Sequence, residues 1–105
     1  MKILFVCSKN KWRSRTAENI FKNNGSHVIR SAGTESSARI KLSIKDLIWA
    51  DKILVMENIH KEKIRAMTND KAIYNKIDVL GIKDKYMDKE LIEILMASTS
   101  ELFNN

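Results

Sequence analysis

One cysteine, Cys7, closes the apolar run Ile3-Leu4-Phe5-Val6; five residues then intervene before Arg13 and the hydroxyl of Ser14. A thiolate is a strong nucleophile, and a planar guanidinium pairs two oxygens of a tetrahedral oxyanion at once. The intervening Ser8, Lys9, Asn10, Lys11 and Trp12 can loop their backbone N–H groups around a single point. A helix beginning at Arg13 and Ser14 would aim the unpaired N–H groups of its first turn at the same place. Those dipoles and cations favour the charged form of a thiol held among them. The chemistry open to this pattern is nucleophilic displacement at phosphorus by sulfur.

Such a loop needs a strand before it, a helix after it and a sheet to hold both. Residues 2–6 form a continuous apolar run, as expected of a central strand covered on both faces. Ala17, Ile20 and Phe21 share one face of the following helix, and Glu18 and Lys22 form an i,i+4 pair on the other. Asn23-Asn24-Gly25 reads as the helix end, with Gly25 suited to the left-handed position. His27 to Arg30 reads as a second strand, and Ser31 to Thr34 as a turn away from it. Leu42, Asp46, Leu47 and Trp49 make a short helical stretch with Ser43 as its cap. Asp51 to Met56 is the third strand, followed by Ile59, Lys63, Ile64 and Met67 at helical spacing. Lys76 to Leu80 is the fourth. Gly81 to Met87 is a polar loop. The last helix has Asp88 as N-cap, Glu90 in its first turn, and Leu91, Ile92, Leu95, Met96 and Leu102 as its buried stripe. Alternating strands and helices predict an α/β fold: one domain over residues 1–105, a parallel sheet, right-handed crossovers and helices on both faces. Ligands bind such sheets at the carboxyl ends of the strands, where Cys7 sits.

The chain has 105 residues, 44% hydrophobic and 30% charged, which suits one soluble globular domain. No apolar run approaches the ~18–20 residues of a membrane helix, and the N-terminal run is too short for a signal peptide. A lone cysteine cannot form an internal disulfide, and a reactive thiol suits a reducing compartment, so a cytoplasmic location is expected. The net charge of +6 is uneven: residues 1–30 hold seven bases against Glu18 alone, and the rest of the chain holds twelve bases and twelve acids. A positive field around the cysteine loop would draw phosphorylated substrates. No zinc spacing or RNA-recognition signature is present, so nucleic acid is not an expected partner. His27 and His60 lack metal-ligand partners at suitable spacing and read as structural or solvated; no metal site and no cofactor are expected.

The Cys-x5-Arg-Ser order after an N-terminal strand resembles the low-molecular-weight protein tyrosine phosphatases. Ser31-Ala32-Gly33-Thr34, Ala50-Asp51 with Ile53-Leu54-Val55-Met56, and Asp84-Lys85-Tyr86 agree with that family in order and context. The resemblance implies a four-stranded parallel sheet in the order 2-1-3-4, and a phosphatase that hydrolyses phosphotyrosine or similar aryl phosphates through a phosphocysteine, without a metal. It makes Cys7 the nucleophile and Arg13 the ligand of the equatorial oxygens. Ser8, Lys9, Asn10, Lys11, Trp12, Arg13 and Ser14 become the phosphate-binding stretch. Asn10 would hold the strained backbone of the loop, and Ser14 would hydrogen-bond the thiolate. Asp84 would be the general acid and then base, with Asp88 its rival, and Trp12 and Tyr86 would wall the substrate. Lys9 stands at the family's loop glycine, Trp12 at the second cysteine of many members and Lys85 at the proline of the acid motif. The segment after Thr34 is also shorter than in most members.

The expected partner is a phosphorylated protein or a small aryl phosphate, with no membrane, and a monomeric or weakly dimeric state. Three other readings use the same residues. An arsenate reductase of this fold would need an external thiol here. A phosphocysteine carrier of a sugar-uptake system would need neither the arginine nor the acid. The third is a non-catalytic phosphate- or RNA-binding module on the same scaffold.

Overall fold

The computed structural model describes residues 1–23 and 25–103. Four strands, β1 (Lys2–Cys7), β2 (Val28–Gly33), β3 (Lys52–Val55) and β4 (Ile77–Val79), form one all-parallel sheet in the order β2-β1-β3-β4. Strand side chains alternate between faces, so β1 divides its apolar run between two cores. Ile3, Phe5 and Cys7 pack on one side with helices α1 (Arg13–Phe21) and α5 (Asp88–Ser98). Leu4 and Val6 pack on the other with α2 (Ile44–Trp49), α3 (Asn58–Met67) and the short α4 (Lys71–Tyr74). A last turn of helix, α6 (Ser100–Phe103), brings Leu102 and Phe103 against the first core.

Several local expectations are met. Ser43 caps α2, accepting from Asp46 N while Asp46 reaches back to Ser43 N, a reciprocal capping box. Ala17 and Phe21 are buried, and Ile20 packs at the core edge.

Others are corrected. Ser31 to Gly33 do not turn away but complete β2, because Phe5, Val6 and Cys7 pair with them in register. Glu18 does not pair with Lys22; it accepts from the Ser31 hydroxyl and lies 3.9 Å from Arg39. Met87, not Asp88, is the N-cap of α5, and Asp88 lies in its first turn. The stripe of α5 is narrower than expected: Leu91 and Leu95 are buried while Met96 is exposed. In α3 the buried residues are His60 and Ile64, and Ile59 faces out. Asn24, expected at the end of α1, lies outside the described residues; α1 closes at Phe21, with Lys22 N–H donating to Glu18 O.

Candidate functional site

The loop from Cys7 to Trp12 is shaped mostly by where its carbonyls go. The carbonyls of Cys7, Ser8 and Lys9 accept from the N–H groups of Thr34, Glu35 and Arg39 at 2.9 Å, and that of Asn10 accepts from Arg39 Nε at 3.1 Å. A trans peptide points its N–H opposite its carbonyl, so the amides of residues 8–11 turn the other way. Among the described residues, the backbone N–H groups of Ser8, Lys9, Asn10, Lys11 and Trp12 donate to nothing in the fold. Trp12 is the N-cap of α1, and no side chain caps that helix. Five free amides and an open helix N-terminus thus lie in the loop that follows Cys7, the elements an anion nest requires.

One residue carries the strain of this shape. Asn10 has φ +57° and is fully buried, the left-handed conformation that asparagine tolerates better than most residues. Its Nδ2 donates to Ser14 Oγ at 2.7 Å. Lys9, at the family's glycine position, is not in that conformation, since Asn10 alone among the described non-glycine residues has positive φ. Gly33 lies directly behind the loop. A Cβ there would meet Ser8 O and Ala38 Cβ at 2.6 Å and Asn10 N at 2.9 Å, so only glycine lets β2 come this close.

Cys7 is 3% exposed, and its Sγ is 2.9 Å from Ser14 Oγ. Ser14 Oγ already accepts from Asn10, so its own hydrogen can go to the sulfur or to Ala32 O, the latter at 3.4 Å. The shorter contact directs it to the sulfur. Arg13 is nearly buried; its Nη1 donates to Glu57 Oε1 at 2.5 Å and to Ile82 O at 2.9 Å. Gly81, with φ +74°, turns the chain after β4 so that Ile82 can present that carbonyl. With Nη1 tied back, the Nε–Nη2 edge of the guanidinium makes no hydrogen bond among the described residues, and that edge fits bidentate binding of an oxyanion.

A cleft of about 240 Å³ opens over these groups, lined by Cys7, Ser8, Lys9, Lys11, Trp12, Arg13, Glu35 and Asp84. Asn10 and Ser14 stand behind it. Asp84 has an exposed carboxylate 3.9 Å from Arg13 Nε, whereas Asp88 lies on α5 and does not line the cleft. Trp12 is the aromatic side chain on the rim, tethered by its Nε1–H to Tyr86 O at 3.2 Å. Tyr86 does not line the cleft; its ring packs against the first core, with Lys85 Nζ 5.4 Å from its centre. Among the described residues no group of three or more His, Cys, Asp or Glu could hold a metal ion. No described helix is long and apolar enough to cross a membrane.

Two residues of the site are missing from the sequence reading. Glu57, just past β3, is the carboxylate that holds Arg13. Its signal was available, because carboxyl ends of neighbouring parallel strands converge, and β3 lies beside β1. His60 is fully buried; Nδ1 accepts from Glu57 N–H at 3.0 Å, and Nε2 lies 2.9 Å from Ser8 Oγ. Burial, then the Arg13 guanidinium, lowers its pKa from 6.5 to about 4. Its position one turn before Ile64, on the apolar face of α3, was the overlooked signal.

Residues 2–45 match the family model "Low molecular weight phosphotyrosine protein phosphatase". Over this segment the chain is similar to that family. A protein tyrosine phosphatase from Entamoeba histolytica superposes with a TM-score of 0.80 at 23% identity, over 97% of this chain and 92% of that one. A low-molecular-weight protein tyrosine phosphatase from Streptococcus pyogenes gives 0.79 at 19%, over 96% and 92%. YwlE from Bacillus subtilis gives 0.74 at 23%, over 97% and 98%. A second YwlE structure, at 22% identity and a TM-score of 0.74 over 97% and 95%, is of an arginine phosphatase with a phosphorylated serine replacing the active-site cysteine. No curated protein matches the chain in sequence. Likeness at these identities establishes the fold.

Proposed function

We propose that the protein is a cysteine-dependent phosphatase acting on phosphotyrosine or a similar aryl phosphate. The observation that carries this reading is the set of five unpartnered amides in the loop after Cys7 together with the free edge of Arg13. Phosphoryl transfer needs positioning and charge neutralisation above all, and these groups supply both. Cys7 Sγ attacks phosphorus in line; the S–P bond forms as the P–O bond to the leaving group breaks. The amides and Arg13 take the charge of the three equatorial oxygens. Asp84 gives its proton to the leaving phenolate, then takes one from the water that attacks the phosphocysteine. Ser14 donates to the sulfur and eases its departure as thiolate, releasing inorganic phosphate. Each step as written uses no metal, and a cytoplasmic location goes with a reactive thiol.

A second substrate reading has a specific basis. Glu35 and Asp84 are both on the cleft lining, where two carboxylates could pair the guanidinium of a phosphoarginine, the residue class implied by the arginine phosphatase of this fold. Lys9 and Lys11 on the same lining oppose a cationic substrate, and Trp12 offers a face to an aryl ring.

The test is hydrolysis of p-nitrophenyl phosphate, phosphotyrosine and phosphoarginine between about pH 5 and 8 with chelator present. Turnover by the native chain and none by Cys7→Ser supports the phosphatase reading, and the ratio of the two amino-acid phosphates decides the substrate. A folded native chain inert on all three overturns it. Binding of phosphate or RNA without turnover would then become the reading to pursue.

A further inference from the structure

The hydrogen bonds of His60 fix more than its own position. A backbone N–H can only donate, so the 3.0 Å bond from Glu57 N makes Nδ1 an acceptor. A neutral ring then carries its proton on Nε2, and the 2.9 Å bond runs from Nε2–H to Ser8 Oγ. Ser8 is therefore an acceptor toward the histidine, and its own hydroxyl hydrogen still needs a partner. Among the described residues none accepts it. Ser8 is half-buried and lines the cleft beside Cys7 and Arg13, where the oxyanion would sit.

We infer that the Ser8 hydroxyl is a side-chain donor to the bound phosphoryl group, with His60 as the positioning residue that aims it. This rests on the reading of the cleft as a phosphoryl site. The backbone of Ser8 already contributes an amide to the nest, so the side chain adds a further donor from the same residue. His60 turns it by occupying one lone pair of the oxygen and leaving the hydrogen free to swing into the cleft. The same turn also holds the far end of the loop, because Glu57, whose N–H fixes the ring, binds Arg13 with its side chain. The β3–α3 turn thus grips the loop at its second residue and at its arginine.

The alternative is a plain structural tie in which the hydroxyl touches no substrate. The two differ in what Ser8→Ala does to anion affinity. A hydrogen bond to a charged group predicts about a 10–100-fold weaker inhibition constant for inorganic phosphate in Ser8→Ala, with a similar fall in kcat/KM. Ser8→Thr, which keeps the hydroxyl, should restore most of it. His60→Asn keeps an acceptor for Glu57 N–H but lacks the donor to Ser8. It should weaken phosphate binding in the native background and add little in the Ser8→Ala background, because both changes remove the same oriented donor. Nitrogen-15 shifts of the His60 ring should show protonated Nε2 and bare Nδ1 across the neutral range.

Phosphate affinity of folded Ser8→Ala unchanged from native, or losses that multiply in the double variant, would overturn the inference while native turnover leaves the phosphatase reading intact. A proton found on Nδ1 would overturn it whether or not the variants fold. A native chain that neither turns over nor binds phosphate would sink both.

Discussion

Cys7 and Arg13 on the floor of the cleft, with Asn10 and Ser14 behind them, are almost fully buried and are each bonded to another group of the chain. Across the opening, Asp84 is 71% exposed on its side chain, and its nearest charged partner is 3.9 Å away. Lys9, Lys11, Lys83 and Lys85 are exposed as well. The floor is over-determined: loop carbonyls, the Arg13 fork, the Asn10 amide and the absent side chain of Gly33 each specify the same geometry. The rim at Trp12 is set by the start of α1 and one tether, the bond from Trp12 to Tyr86 O. Reaction type depends on atoms placed within a few tenths of an ångström, and choice of substrate depends on the shape and charge of an opening. In this fold the first is rigidly built and the second lightly held, so floor and rim should respond differently to substitution.

The largest separation of the two should come from Asp84→Asn. Removing a general acid costs about 10²–10⁴-fold on a poor leaving group and less on an activated one. Steady-state rates on phosphotyrosine and p-nitrophenyl phosphate should therefore diverge, with the thermal midpoint close to native because the carboxylate is exposed. Equal losses on both esters would remove Asp84 from the acid role.

Gly33→Ala makes the opposite change, since it touches no substrate and reaches the floor alone. A methyl 2.6 Å from Ser8 O must displace backbone, not the end of a flexible side chain. Overpacking of this kind costs about 1–3 kcal/mol, and here the strain goes into the loop. A lowered melting temperature together with weakened phosphate binding is expected. Native-like phosphate affinity in a destabilised protein would show that the loop can shift without losing its nest.

These two residues also show what was readable in the chain. Gly33 and Asp84 lie in segments that stood out only through their likeness to a known family, whereas the alternation of strands and helices gave the parallel sheet. Glu57 and His60 were not legible in the same way, because their roles exist only through partners 44 and 52 residues away. Helical spacing groups Ile59, Lys63, Ile64 and Met67, yet of these only Ile64 is buried, and the inward position beside it goes to a polar ring that satisfies both its nitrogens. Ser31 to Gly33 carry small and polar residues typical of turns. They are held extended by a strand partner that local composition cannot reveal.

The pH dependence of stability tests the floor from within. His60 has its pKa lowered to about 4 in the folded chain, against 6.5 ordinarily. Between those values the unfolded chain takes up the proton and the folded chain does not. The contribution is thus full above 6.5 and is lost as pH falls toward 4. Melting curves of native and His60→Asn proteins should converge on acidification through that window, the native protein losing more. Parallel curves would mean that the ring does not stay neutral in the fold.

The smallest expected effect lies on the rim. All of the excess positive charge of the chain lies within residues 1–30, and Lys9 and Lys11 place two of those charges on the cleft lining itself. Exposed charges act over about a Debye length, ~10 Å at 0.1 M salt, so they guide an anion toward the nest and contribute little once it is seated. Lys9→Glu and Lys11→Glu should each lower kcat/KM by about two- to tenfold at low ionic strength, leave kcat nearly unchanged, and converge on native behaviour in high salt. A fall in kcat that persists in salt would place that lysine in contact with the transferring phosphoryl group, and the boundary between floor and rim would move outward by one residue.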